Sequence, residues 1–224
     1  MSTLLRPAVA PPDQQLTLYG VDWSTYESLL RAFRGRHLRL NFDEGLLEIM
    51  VTGSAHERWK KLLARLLEIS AEEFGVSMLG QGNFTLKRRD LDKGLEVDDC
   101  WYIAHEADVL GRPELDLAVD PPPDLVIEIE VSHGLIDRLP LLAALGVPEI
   151  WRFDGTALTV LVLSPEGSYR ETDSSPTFPA IPLVGFADFL RQGDTIKHLE
   201  LCRRFRAWVT PFVNKADSSD RIQP

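Results

Sequence analysis

A chain of 224 residues can bury one α/β core and carry an appended helix, and its 44% hydrophobic and 26% charged content is that of an ordinary globular protein. No apolar run reaches the roughly 18 residues of a membrane span, the first fifteen residues hold one basic residue and no long apolar core, unlike a secretory signal, and the only two cysteines, Cys100 and Cys202, sit in no Cys/His cluster that would argue for zinc or a disulfide framework. The formal net charge of −10 argues against a protein that coats nucleic acid by bulk electrostatics. Cytoplasm is the expected compartment, with no membrane association. Any polyanion contact must then come from a local basic cluster. There are four: Arg31, Arg34, Arg36 and Arg39; Lys60, Lys61 and Arg65; Lys87, Arg88 and Arg89; Arg203, Arg204 and Arg206. Each reads first as a solvated face.

In chain order, residues 1–16 are rich in Pro and Gln and are expected to lack structure. Residues 22–35 read as a short helix, with Asp22 or Ser24 at its start and Gly35 past its end. Leu38, Leu40 and Phe42 then alternate with polar residues, a turn follows at Asp43-Glu44-Gly45, and a second strand runs to Met50, which together make a hairpin signal. The clearest helix is 54–74, where Trp59, Leu62, Leu63, Leu66, Leu67 and Phe74 share one face and Gly75 stops the run. Strands are expected at 76–81, 84–87 and 95–103. Residues 124–131, after three prolines, read as a central strand. A helix over 135–145 takes Pro140 in its first turn, strands follow at 149–154 and 157–163 about a turn at Asp154-Gly155, and helices at 186–192 and 194–210. The tail from Asn214 has a disordered composition. No repeat or linker divides the body. The order predicts a single α/β domain over 17–212, a mixed sheet flanked by helices with an N-terminal hairpin and C-terminal helices, between unstructured segments 1–16 and 213–224.

The candidates for chemistry are acidic. Glu96 and Asp98 fall on one face of a strand, and Glu128 and Glu130 on one face of another, with Ile127 and Ile129 opposite. Carboxylates on an interior strand are costly unless paired or metal-bound. A divalent cation relieves their repulsion, and hard oxygen ligands suit Mg²⁺. A solvated strand face explains the same spacing, and both readings stay open on spacing alone.

Pro123-Asp124-Leu125-Val126-Ile127-Glu128-Ile129, followed by Ala144-Leu145-Gly146-Val147-Pro148-Glu149-Ile150-Trp151-Arg152-Phe153-Asp154, resembles the Uma2 family of endonucleases, also called DUF820. Ser54-Ala55-His56-Glu57 and Leu95-Glu96-Val97-Asp98-Asp99-Cys100-Trp101-Tyr102-Ile103 add to the likeness, which covers roughly residues 20–210. The resemblance implies a PD-(D/E)XK restriction-endonuclease-like fold, Mg²⁺- or Mn²⁺-dependent hydrolysis of DNA, and pairing as a homodimer. It implies Asp98, Glu128 and the Ile129 carbonyl as metal ligands, and Asp98, Glu128, Glu130, Arg138 and Glu57 as the catalytic set. Two positions depart from the pattern. Val97 replaces the proline before Asp98. Glu130 stands where the parent motif has lysine, and the Asp-Lys pair that close relatives place on the next helix is Asp137-Arg138 here. Arginine keeps the charge but cannot accept a proton. That departure supports a rival reading: a catalytically weak or inactive nuclease-like module used for binding or assembly. Each residue also has a plainer reading. Ser54 and Glu57 fit a capping box, His56 a surface histidine, and Glu130 a structural partner of Arg138. Glu96 and Asp99 read as solvent-facing or as support behind the ligands, and Trp151 and Phe153 as core. Ser132 and His133 lack the Gly-x-Ser-x-Gly elbow of a serine hydrolase.

Overall fold

The computed structural model of the chain describes residues 14–36, 38–51, 53–130 and 134–220, with side chains described as far as residue 213. β1 (Gln14–Tyr19) leads into α1 (Trp23–Phe33), which starts where the Asp22 carboxylate accepts from the Thr25 N–H at 2.7 Å. The expected hairpin is β2 (Arg39–Asp43) and β3 (Leu46–Val51), turned through Glu44 and Gly45 at φ of 46° and 91°. α2 (Ser54–Phe74) ends at Gly75, whose φ of 65° makes the left-handed stop. Short strands β4 (Leu79–Gly80), β5 (Thr85–Arg88), β6 (Lys93–Glu96) and β7 (Asp99–Tyr102) follow, then the one-turn helix α3 (Glu106–Val109). The central strand β8 (Leu125–Ile129) leads through α4 (Arg138–Ala144) to β9 (Glu149–Phe153). β10 (Leu158–Leu163), β11 (Tyr169–Thr172), α5 (Leu183–Arg191) and α6 (His198–Asp220) complete the order.

The strands form two sheets, β1-β3-β2-β6-β5 and β11-β10-β9-β8-β7-β4. All pairs are antiparallel except β8–β9, which are parallel as their helical crossover requires. Period-2 alternation divides β8 between two cores. Leu125, Ile127 and Ile129 pack with Trp151 and Phe153 against α2, α5 and α6. Val126 faces the other way, with Cys100 and Ile150, toward α4 and the inner face of the first sheet. On that sheet's outer face Tyr26 of α1 packs with Leu40, Phe42 and Leu47. A Cβ at Gly94 would fall 2.4 Å from the Tyr26 hydroxyl, so the bare glycine lets the ring lie flat on β6. The layers therefore run α1, first sheet, α4, second sheet, then α2 with α5 and α6. This is a mixed α/β restriction-endonuclease-like architecture.

The structure differs from the sequence reading at identifiable points. Residues 95–103 are not one strand. Leu95, Val97 and Cys100 all enter the inter-sheet core, a spacing that strict alternation cannot satisfy, so β6 ends in the first sheet and β7 begins in the second. Glu96 and Asp98 consequently do not share a strand face. Gln14–Leu16, expected to be unstructured, belong to β1, which takes the open edge of β3 with Gln14 opposite Val51; residues 1–13 lie outside the described residues. The last helix does not stop before Pro211 but runs to Asp220, because once a helix is started each added turn continues the backbone ladder and Pro211 forfeits only one bond of it; residues 221–224 lie outside the described residues, as do Ser132 and His133. β11 and α3 were not foreseen. Among the described residues no helix is long and apolar enough to cross a membrane.

Candidate active site

Asp98 lies where the chain crosses between the sheets, and it is fully buried. Three elements meet on its carboxylate. His56, in the first turn of α2, brings Nε2 to 2.8 Å from Oδ1; a carboxylate only accepts, so Nε2 carries the proton. The guanidinium of Arg39, at the start of β2, pairs with the same oxygen. The Ile129 N–H, at the end of β8, donates to Oδ2 at 2.6 Å. Burial of the ion is thus offset by two side-chain donors and one backbone donor.

Arg39 is only 5% exposed and stands among carboxylates. Beyond Asp98 its guanidinium reaches Glu57 at 3.5 Å, and Glu57 also holds Lys60 at 2.9 Å. Burial pulls the Arg39 pKa below its ordinary value; the charges of Glu128, Glu57 and Glu96 work against that. Burial also raises the pKa of Glu96, partly offset by Arg39, a 3.4 Å hydrogen bond from Asn83, and Arg138. Asp99 is raised by burial as well, and its Oδ1 accepts from the Cys100 N–H at 3.0 Å.

Glu128 is 7% exposed and faces away from Ile127 and Ile129, as alternation requires. Its Oε1 accepts from Arg138 at 2.8 Å. Arg138 opens α4 beside Asp137, whose carboxylate caps the helix by accepting from the Leu139 N–H at 3.1 Å. The Arg138 fork also donates to the Glu96 carbonyl at 2.8 Å and to Asn41 Oδ1 at 3.1 Å. Asn41 in turn donates to Glu48 at 3.1 Å, its cross-strand partner in the hairpin. Glu48 is fully buried, and its second oxygen accepts from the Leu135 N–H at 2.7 Å. A Cβ at Gly134 would lie 2.5 Å from that oxygen, so glycine lets the loop close over the carboxylate. Hairpin, β8 and α4 are therefore joined by one polar chain, Glu48–Asn41–Arg138–Glu128.

These groups wall a cleft of about 390 Å³ whose lining includes Arg39, Glu48, His56, Glu128, Glu130 and Arg138. Asp98 lies one layer deeper, beneath Arg39 and His56. Glu130 reaches Arg152 at 3.3 Å, so its observed ion-pair partner is on β9 and not Arg138, whose fork is turned to Glu128. The capping-box reading of Ser54 and Glu57 is replaced as well. Gly53 is the N-cap and makes no side-chain bond, while the Glu57 side chain is drawn to Arg39 and Lys60. His56 is buried, not a surface residue. Trp151 and Phe153 are core.

Among the described residues no three His, Cys, Asp or Glu side chains converge as a ready-made metal cage. The donor chemistry nevertheless suits a hard divalent cation. Glu128 and Glu130 line the cleft, and Asp98 lies beneath it, covered by Arg39 and His56. Sequence reasoning missed Arg39, Asn41 and Glu48. The signal was present: Glu48 interrupts the apolar run Leu46-Leu47-Glu48-Ile49-Met50, and Arg39 and Asn41 lie on the hairpin face that alternation marks as polar.

Glu128 on the central strand and Arg138 from the following helix border one cleft, and Asp98, at the sheet crossing, lies buried beneath it. The family model described as "Uma2: Putative restriction endonuclease" matches residues 23–189, about three quarters of the chain. The chain belongs to the Uma2 family. No curated protein matches it.

Proposed function

We propose that this chain is a metal-dependent endonuclease that hydrolyses DNA phosphodiester bonds at the Asp98/Glu128 cleft. The observation that supports this reading most is the meeting of Asp98 and Ile129 through a 2.6 Å hydrogen bond, which ties the sheet crossing to the end of the strand that carries Glu128. Asp98, Glu128 and the Ile129 carbonyl would hold Mg²⁺ or Mn²⁺, with Glu57 close by through Arg39. A bound ion supplies Lewis-acid stabilisation of charge developing on the phosphate. Arg138, fixed by Asn41 and the Glu96 carbonyl, holds positive charge against Glu128 at the cleft wall and is placed to orient a phosphate oxygen. Glu130, which lines the cleft and pairs with Arg152, would receive a proton from water. The homodimer implied for this type of enzyme would present one cleft to each DNA strand, and light scattering gives its mass directly.

The test is cleavage of supercoiled plasmid by purified protein with Mg²⁺ or Mn²⁺, with EDTA and Glu128→Ala as controls. Metal-dependent nicking lost in Glu128→Ala is expected. No cleavage with either ion, or equal cleavage by the variant, sinks the reading. One observation favours the rival, a nuclease-like module without catalysis: arginines already engage both Asp98 and Glu128, and Arg138 cannot act as a base.

A further inference from the structure

We infer that a second, basic cleft at the carboxyl end of α1 is a track for the phosphate backbone of nucleic acid bound at the catalytic cleft; this rests on the nuclease reading. The second cleft has a volume of about 310 Å³ and lies on the outer face of the first sheet. Arg31, Arg34, Arg36 and Lys87 line it, with Glu27 and Glu96 as its acids. Arg36 sits 5.8 Å from the Phe33 ring centroid, a contact that holds its guanidinium at the wall.

Acids outnumber bases by ten in this chain, so an exposed arginine should find a carboxylate easily. On other faces Arg58, Arg65, Arg170 and Arg206 each do. Among the described residues, Arg34, Arg36 and the neighbouring exposed Arg89 make no ion pair. Compensation of the α1 dipole accounts for Arg31, in its last turn. It does not account for Arg34 and Arg36, which lie past the helix end, nor for Arg89, which comes from another part of the chain. Lys87 is matched by Glu27 at 2.8 Å within the cleft, so the unpaired charge there is that of the α1 end, Arg34 and Arg36 with Arg31, and unpaired arginines gathered along a cleft match a polyanion.

The placement relative to the catalytic cleft is set by chain length. Three peptide units separate Arg36 from Arg39, so their Cα atoms are at most about 11 Å apart, about three base-pair rises of one DNA strand. Arg39 pairs with Asp98. Glu96 joins the two clefts directly, because its side chain lines the basic one and its carbonyl holds Arg138 of the other. A strand whose scissile phosphate lies at Glu128 therefore brings phosphates within reach of the arginine cluster. Such contacts read backbone and not bases, and each adds about 0.9 to the salt slope.

The experiment is fluorescence anisotropy of wild-type protein in EDTA, with labelled duplex and single-stranded oligonucleotides over a salt series. Arg34→Ala/Arg36→Ala should weaken binding at least tenfold at low salt and reduce the slope of log K against log salt by about two. Arg203→Ala/Arg204→Ala, on exposed positions of α6, removes the same charge and should leave binding near wild type. Melting curves check that both variants are folded. Equal loss in the two double variants, or wild-type binding with an unchanged slope in the first, overturns the track. If Glu128-dependent cleavage persists in that case, the nuclease reading stands without it. A wild-type protein that neither binds nor cuts DNA removes both. Arg34/Arg36-dependent binding to phosphatidylglycerol vesicles without DNA binding assigns the cleft to a membrane and also overturns the proposal.

Discussion

Arg39→Leu separates the two roles the site combines, because it removes the cation over Asp98 while keeping an apolar stem beside Met50, its cross-strand partner in the hairpin. Arg39 and Asp98 are 5% and 0% exposed. Removing one partner of such a pair costs about 3–5 kcal/mol, mostly from the charge left buried. Asp98 keeps the His56 Nε2 and Ile129 N–H donors, so the lower end, about 3 kcal/mol, is expected. At about 2–4 °C per kcal/mol for a chain of this size, the melting temperature should fall by about 6–12 °C. Urea unfolding followed by the fluorescence of Trp151, buried in the main core, measures the loss. Adding Asp98→Asn should recover more than a third of it, since the double variant no longer buries an orphaned carboxylate. Millimolar Mg²⁺ should stabilise Arg39→Leu more than wild type, because Asp98 is then open to an ion. A loss below about 1 kcal/mol, or a double variant no more stable than Arg39→Leu, would refute the argument that Arg39 is the counter-charge of the site.

Three other outcomes are expected. Mg²⁺ or Mn²⁺ should raise the melting temperature of the wild type, and Asp98→Asn and Glu128→Gln should each remove most of the shift; an unchanged curve at millimolar metal counts against a preformed site. Arg138→Ala should lower both stability and cleavage, since it abandons Glu128, Asn41 and the Glu96 carbonyl together, whereas Arg138→Lys should retain more of both; single-turnover cleavage and thermal melts of the same samples decide, and equal rates for Arg138→Ala and wild type would remove its role. Burial raises the folded-state pKa of Glu96 above 4.5, so Glu96 favours the folded state when protonated, and that contribution is lost as pH rises through the raised value. Glu96→Gln should therefore melt higher than wild type at pH 7–8 and lose the advantage below the ordinary glutamate pKa of about 4.3; an equal gain at pH 4 would show that the charge is not the cause.

Much of this was legible because the signals were periodic. The 54–74 helix appears with both of its ends, and the run Asp124–Ile129 gave away a strand buried on two faces with Glu128 turned from Ile127 and Ile129. The motif around Asp98 marked a residue that the structure buries beneath the cleft, but it misled on geometry. Local β-propensity over 95–103 is continuous, and only the demand that Leu95, Val97 and Cys100 share one core breaks the strand. Arg39, Asn41 and Glu48 were hidden for a related reason. Alternation in a hairpin separates polar from apolar faces, but it does not say that the polar face will be covered by α4 and the second sheet. Glu130 as a partner of Arg138 failed on strand direction: β8 and β9 run parallel, and their register places Arg152 opposite Glu128, two residues from Glu130 and on the same strand face.

The two carboxylates at the centre of the site carry unequal structural duties, and this decides which one can diagnose chemistry. Asp98 ties β2, α2 and β8 together through Arg39, His56 and the Ile129 N–H. Its loss loosens the crossing between the sheets, so an inactive Asp98→Ala protein would not distinguish a missing ligand from a displaced Glu128. Among the described residues Glu128 has a single side-chain partner, Arg138, and that arginine keeps its bonds to Asn41 and the Glu96 carbonyl when the glutamate is removed. Asn41 is in turn held by Glu48, whose other oxygen accepts from the Leu135 N–H. The hairpin is thus the inner wall of the cleft, and it supports the arginine independently of Glu128. Glu128→Ala therefore leaves the scaffold standing, and its effect on cleavage reads the chemistry of the cleft.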